Sequence, residues 1–369
     1  MTRTLRIGVD ARELLGETTG AGRYLGELMR RWVARDDADR RRFVMYAPET
    51  LRFALPSGAG EQRVLPADRR AAGTWWEQTT LRRAVKADRP DVFFAPAYSA
   101  PLGTGVPLAV TIHDISFIAH PEWFRLRERL RRRWVTGRVA ASASVVFTDS
   151  AFSRSELETR MRVPPERIRV IPPGVAPIAS DRELRSDTRE PLVLFVGSLF
   201  NRRRLPDLIA AFARGTNDLP EARLAIVGAD RTWPPLDLGA VAARHGVASK
   251  VELRSYVSDG ELADLYRRAS VLGFLSEYEG FGLTPLEALA AGVPVVVLDT
   301  PVAREVYGEA AEYVRCGDIG GTAAALRRFL TSRSSAGEQL ARAPAVLARY
   351  SWDRAAEETL EHLHRVAAP

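Results

Sequence analysis

The chain has 369 residues, 46% of them hydrophobic, a formal charge of +7 and a single cysteine, Cys316. That length predicts two domains, because one core seldom grows past about 250–300 residues. The lone cysteine excludes an internal disulfide, and no apolar run approaches the ~20 residues of a membrane span. The positive charge is arginine's, since Lys86 and Lys250 are the only lysines. It favours anionic partners without choosing among sugar nucleotides, lipid phosphates and nucleic acid.

The chain opens on MTRTLRIGVDA, which reads directly as a strand over Leu5–Val9 and lacks the apolar core of a signal peptide. The expectation is a cytoplasmic protein. Gly20-Ala21-Gly22-Arg23-Tyr24 follows, but its third glycine, Gly26, comes one position too late for a dinucleotide fingerprint. Asp37 and Asp39 have the spacing of a metal pair, yet they lie in ARDDADRRRF, where arginines oppose a divalent cation. No Cys/His set has zinc spacing, so no metal is expected.

Further strands are expected over Phe43–Tyr46, Val92–Phe94, Leu108–Ile112, Val145–Thr148 and Ile168–Ile171, with helical stretches between them. This alternation predicts parallel βαβ units. His113, directly after Leu108–Ile112, is the one histidine of five at a strand's C-terminal end. The run Arg125–Arg138 is basic and amphipathic. It reads either as a solvated helix face or as a surface lying on an anionic membrane. From Pro172-Pro173-Gly174 to Glu190 the pattern breaks into a linker.

A second alternation runs through Leu192–Val196, Leu224–Val227, Val251–Leu253, Val271–Leu275 and Val293–Leu298, and Ser351–Val366 reads as an amphipathic helix. Two doubly wound sheets place ligands at their strand C-terminal ends, in a cleft between domains. Gly197-Ser198 and then Arg202-Arg203-Arg204 lie just beyond the second set's first strand, cations suited to a diphosphate. Glu279 to Glu287 reads EGFGLTPLE. Gly280 and Gly282 permit close backbone approach, and Thr284-Pro285 reads as a helix start, N-cap then first residue. Thr284 with Glu287 is also a capping box, which by itself would account for that glutamate.

SEYEGFGLTPLEALAAGVPVV closely resembles the donor-site signature of glycosyltransferase family 4, retaining enzymes of the GT-B fold. Matches in VGSLFNRRRLPDLIAAF, SYVSDGELADLYRRASV, TIHDISFIAHPEWF, the N-terminal GVDARELLGETTGAGRYLGEL and the C-terminal YSWDRAAEETL spread the resemblance over nearly the whole chain. It implies an α/β protein of two Rossmann-like domains: an acceptor-side domain over 1–175, a nucleotide-sugar domain over 176–350, and a helix at 351–369 crossing back to the first. It implies a hexosyltransferase, with a GDP-mannose-type donor favoured by the HDISFIAHPEWF block. The acceptor would be a glycan, lipid-linked or small-molecule hydroxyl.

In that resemblance Arg202 and Arg203 fill the positions of an Arg-Lys pair and hold the diphosphate with Gly197, Ser198 and the amides of Gly280, Phe281, Gly282 and Leu283. Glu279 meets the sugar hydroxyls and Glu287 the ribose, while His113 lies near the donor sugar. Gly20 and Gly22 belong either to a loop approaching the diphosphate or to an ordinary helix-initiating turn. No cofactor is implied beyond the sugar nucleotide itself. Two rival readings remain: a glycoside hydrolase using Glu279 and Glu287, and a non-catalytic scaffold or nucleic-acid binder resting on charge alone.

Overall fold

A computed structural model describes residues 4–16, 20–35, 37, 40–67, 73–175 and 189–367. The chain divides into two compact units, residues 1–119, 126–174 and 351–369 forming one, His120–Arg125 and Val175–Tyr350 the other. The short segment His120–Arg125 thus groups with the second unit, which no local pattern announces. Most of the expected linker lies outside the described residues.

In the first unit, seven parallel strands are β1 (Leu5–Asp10), β2 (Arg41–Ala47), β3 (Gly60–Val64), β4 (Val92–Ala95), β5 (Leu108–Thr111), β6 (Val145–Thr148) and β7 (Ile168–Val170). Their order in the sheet is β3-β2-β1-β4-β5-β6-β7, with Ile7 opposite Phe43 on one side and Val92 on the other. Strands β4, β5 and β6 are almost wholly apolar and buried throughout, and β1 is buried from Ile7 to Asp10. One face is covered by the Gly20–Val33 helix and the terminal Trp352–Ala367 helix, whose Leu25, Leu28, Trp32, Trp352, Leu360 and Leu363 pack on Ile7, Val9, Phe43 and Phe94. The Trp32 indole N–H donates to the Ala356 carbonyl at 2.8 Å. Gly174 lets the chain pass so close to Trp352 that a Cβ would fall 2.0 Å from its backbone nitrogen.

The second unit contains β8 (Leu192–Val196), β9 (Arg223–Val227), β10 (Val251–Arg254), β11 (Val271–Phe274), β12 (Val295–Leu298) and β13 (Glu312–Val314), ordered β10-β9-β8-β11-β12-β13. Two strands escaped the sequence reading. β3 is GEQRV, mostly exposed at a sheet edge, and β13 has only three residues at the opposite kind of edge. Neither position demands an apolar run. In each sheet the order in which strands are added reverses once, between β1 and β4 and between β8 and β11. Such switch points open a crevice above the strand C-terminal ends.

Candidate functional site

The loops after β8 and β11 meet over the second unit's switch point. Leu194 and Leu272 pair across these neighbouring strands, so the two loops leave the sheet side by side. Three links then hold them together. The Glu277 N–H donates to the Arg202 carbonyl at 2.9 Å, Arg204 pairs with Glu277 at 2.6 Å, and Arg203 pairs with Oε1 of Glu279. Arg204 has a left-handed backbone (φ +49) that ends the Asn201–Arg203 turn and starts the Leu205–Gly215 helix.

Arg202 and Arg203 are therefore not a solvated basic turn. Arg202 is only 9% exposed, its guanidinium lies 4.2 Å from the Phe200 ring, and its buried Nε has no hydrogen-bond partner among the described residues. The Arg203 side chain is 11% exposed and sits over Phe274 at 4.5 Å. Glu279 receives both Arg203 and the Ser276 hydroxyl on the same oxygen, Oε1. Its other oxygen has no such partner among the described residues. Gly197 follows β8 with φ +137 and nothing closer than 4.0 Å to a Cβ built there, and the Ser198 carbonyl accepts from the Phe200 N–H at 3.0 Å.

The helix start differs from the one expected. It spans Leu283–Ala290, with Gly282 as N-cap at φ +89 and no side chain capping it, so Thr284 is not the cap and the Thr284/Glu287 capping box does not form. The left-handed glycine turns the chain into the helix two residues early, which puts Thr284 inside the first turn. The capping explanation of Glu287 falls with it, leaving a buried carboxylate on that helix. The Tyr307 hydroxyl donates to the Gly282 carbonyl at 2.9 Å and would lie 2.1 Å from any Cβ at 282. Burial, and then the Glu279 carboxylate, push the Tyr307 phenol well above its ordinary pKa, so it stays a donor. Phe281 is buried edge-on against Tyr350, ring centroids 5.1 Å apart. An uncapped helix start beside two largely shielded guanidinium groups suits a polyanion.

In the first unit, His113 follows β5. Its Nδ1 is 2.7 Å from Asp149 and its Nε2 3.1 Å from the Pro96 carbonyl, so protein acceptors engage both nitrogens. Burial is the largest single influence and opposes charging the ring, but Asp149, Asp114 and the Pro96 carbonyl together favour it, and His113 titrates above an ordinary histidine. Tyr24 and Tyr98 pack edgewise against the imidazole at 5.1 and 5.7 Å. Of the two readings of Gly20 and Gly22, the fold shows the helix-initiating turn: both lie in the first turn of the Gly20–Val33 helix, where Gly22 and Tyr24 are buried. The Tyr24 hydroxyl lies 3.3 Å from the Thr111 hydroxyl. Asp37 is tied to Arg41 and Arg35, which hold its pKa down to about 2, Arg41 contributing most. Its companion Asp39 lies outside the described residues. Among the described residues, no cluster of three or more His, Cys, Asp or Glu is placed to hold a metal ion.

The sequence reading missed the first unit's own switch point. Asp10 ends β1, and Arg12 donates to it at 2.6 Å while also pairing with Glu77, which accepts the Ser99 hydroxyl at 2.5 Å. Asp10 and Glu77 are buried. Asp10-Ala11-Arg12 at a strand end was a readable signal, but Glu77, 65 positions away, carried none.

Two family models cover the chain consecutively: Glycosyltransferase Family 4 over residues 18–177 and Glycosyl transferases group 1 over 178–343. A D-inositol 3-phosphate glycosyltransferase of Thermobispora bispora is 30% identical over 292 residues, 71% of this chain and 67% of that protein. The chain belongs to glycosyltransferase family 4. The O-antigen chain mannosyltransferase B of Escherichia coli is 27% identical over 68% of both chains. Across eight of the curated relatives it resembles, the chain spans from 49% to 68% of their length. Among solved structures, sucrose-phosphate synthase from Thermosynechococcus elongatus superposes with a TM-score of 0.77 at 19% identity, covering 98% of this chain and 99% of that one. Anabaena Alr3699/HepE, solved with UDP and glucose, gives 0.73 at 19% identity over 98% and 100%. The family 4 chain thus has the GT-B fold, two parallel α/β sheets of seven and six strands.

Proposed function

We propose that this family 4 chain is a retaining hexosyltransferase that takes a nucleoside diphosphate sugar at the second unit's switch point. The observation that carries it is the buried Arg202 and the largely shielded Arg203 beside the uncapped Leu283–Ala290 helix, with Glu279 linked to Arg203. Arg202, Arg203 and the first-turn amides hold the diphosphate, whose charge grows as the anomeric carbon–oxygen bond breaks. Glu279 accepts sugar hydroxyls on the carboxylate oxygen that Arg203 and Ser276 leave clear, and Glu287 accepts the ribose. The acceptor oxygen bonds to the anomeric carbon, and its proton passes to the departing phosphate. His113, with both nitrogens engaged, acts by holding its strand end in place.

A GDP-mannose-type donor is favoured, supported by the HDISFIAHPEWF block and by the mannosyltransferase relative. The UDP complex of Anabaena Alr3699/HepE keeps UDP-sugars in the test. With two guanidinium groups meeting the diphosphate, the reaction proceeds without a divalent ion. Family membership gives no support to the hydrolase or nucleic-acid readings. A thermal-shift panel of sugar nucleotides, then a nucleotide-release assay with the best hit in EDTA, tests the proposal. Stabilisation and chelator-insensitive release are expected. No shift with any sugar nucleotide overturns it, and release that requires Mg²⁺ removes the metal-free part.

A further inference from the structure

The Leu126–Ser142 helix of the first unit buries Val135, Thr136, Val139 and Ala140 and turns large apolar side chains outward. Leu126, Leu130 and Trp134 are 59%, 52% and 60% exposed. Spaced four apart, at about 100° per residue, they form one stripe roughly 80° wide. Arg133 borders the stripe on one side and Arg127, Arg131 and Arg138 on the other, all four exposed. The helix carries six arginines against one glutamate, a balance of +5, and that glutamate, Glu128, is paired with Arg132 at 2.7 Å. Arg131 donates to the Thr74 hydroxyl at 2.7 Å, which ties in the segment bearing Trp75, itself 67% exposed.

A solvated helix face has no reason to put leucine and tryptophan at its centre and cations along both margins. The pattern matches an interface between water and anionic lipid: tryptophan and leucine enter the headgroup boundary, and the arginines meet phosphates. A second copy of this chain fits worse, because its own arginine rim would face the first. We propose that this face docks the protein peripherally on an anionic bilayer. Leu130 and Trp134 insert, and Arg127, Arg133 and Arg138 bind headgroups. The proposal stands apart from the donor site, so sugar-nucleotide stabilisation measures one and vesicle binding the other.

The test is co-sedimentation of the full chain with phosphatidylglycerol-containing vesicles and with phosphatidylcholine vesicles, at low and high salt. Binding to the anionic vesicles alone, weakened by salt, is expected. Leu130→Ser/Trp134→Ser and Arg127→Glu/Arg138→Glu should each weaken it roughly tenfold or more, with the melting temperature unchanged because all four side chains are exposed. A wild type that stays in the supernatant at low salt overturns the proposal, as do variants that bind equally well. It is also overturned if light scattering shows a dimer that the Leu130→Ser/Trp134→Ser variant dissolves, or if duplex DNA displaces the vesicles.

Discussion

The two sheets have one switch point each, and the chain has furnished them in opposite ways. Over β1 and β4, Arg12 sits between Asp10 and Glu77, and Ser99 takes up Glu77 as well. Every charge there has a fixed protein partner. Over β8 and β11, Arg203 and Glu279 are paired, yet Arg202 keeps a buried Nε without a partner among the described residues, and the adjoining helix starts uncapped. Buried polar groups left unsatisfied are costly. A site that retains such donors is shaped for a ligand, whereas a closed network is shaped for rigidity. We therefore propose ligand chemistry at the second switch point and scaffolding at the first.

The largest effect should come from breaking the second switch point. Arg203→Ala or Glu279→Gln should lower turnover by about 100- to 1000-fold with the melting temperature little changed, as for removal of a charge-stabilising group. Asp37→Asn, a half-buried control in the first unit, should change turnover little, and equal losses in steady-state assays would erase the distinction. At the first switch point the expected damage is to stability. Arg12→Met leaves two buried carboxylates uncompensated and should cost about 3–5 kcal/mol by urea unfolding. A stable variant with selectively lost turnover would instead make that cluster a ligand site.

A smaller effect tests the turn itself. Gly282→Ala meets both a left-handed backbone and the Tyr307 hydroxyl, a strain of about 1–3 kcal/mol. Adding Tyr307→Phe removes the colliding oxygen and should recover part of the loss, which thermal unfolding of the single and double variants would reveal. The smallest effect concerns pH. His113 has a raised folded pKa, so its stabilising pair with Asp149 is fully present below about 6.5, the unfolded value. That contribution fades as pH climbs through the folded value. Melting temperatures across pH 6 to 9 should fall for the wild type by a margin that His113→Gln does not share, and parallel curves would refute the pair.

Much of the fold was legible in the residues themselves. Buried parallel strands such as Val145–Thr148 and Leu192–Val196 are unbroken apolar runs, and their expected and observed bounds agree. The EGFGLTPLE string was legible because its chemistry is local. Its partnerships were not: that Glu279 meets Arg203, 76 positions earlier, depends on β8 and β11 being neighbours. Edge strands β3 and β13 lack an apolar run because only one neighbour shields them. Thr284 was misjudged as a cap because Thr-Pro is a strong local signal, yet the backbone of Gly282 decides where the helix begins. Spacing alone could reveal that Leu126–Ser142 is two-faced, but not that Leu130 and Trp134 look outward.

Isothermal titration of UDP-, GDP-, ADP- and dTDP-sugars into the wild type and Arg203→Ala tests the central claim most directly. Saturable heat with at least one of the four, reduced about tenfold or more in affinity by the substitution, is predicted for a diphosphate lying against Arg202 and Arg203. No heat from any of the four at millimolar ligand, or equal affinity in both proteins, would contradict it.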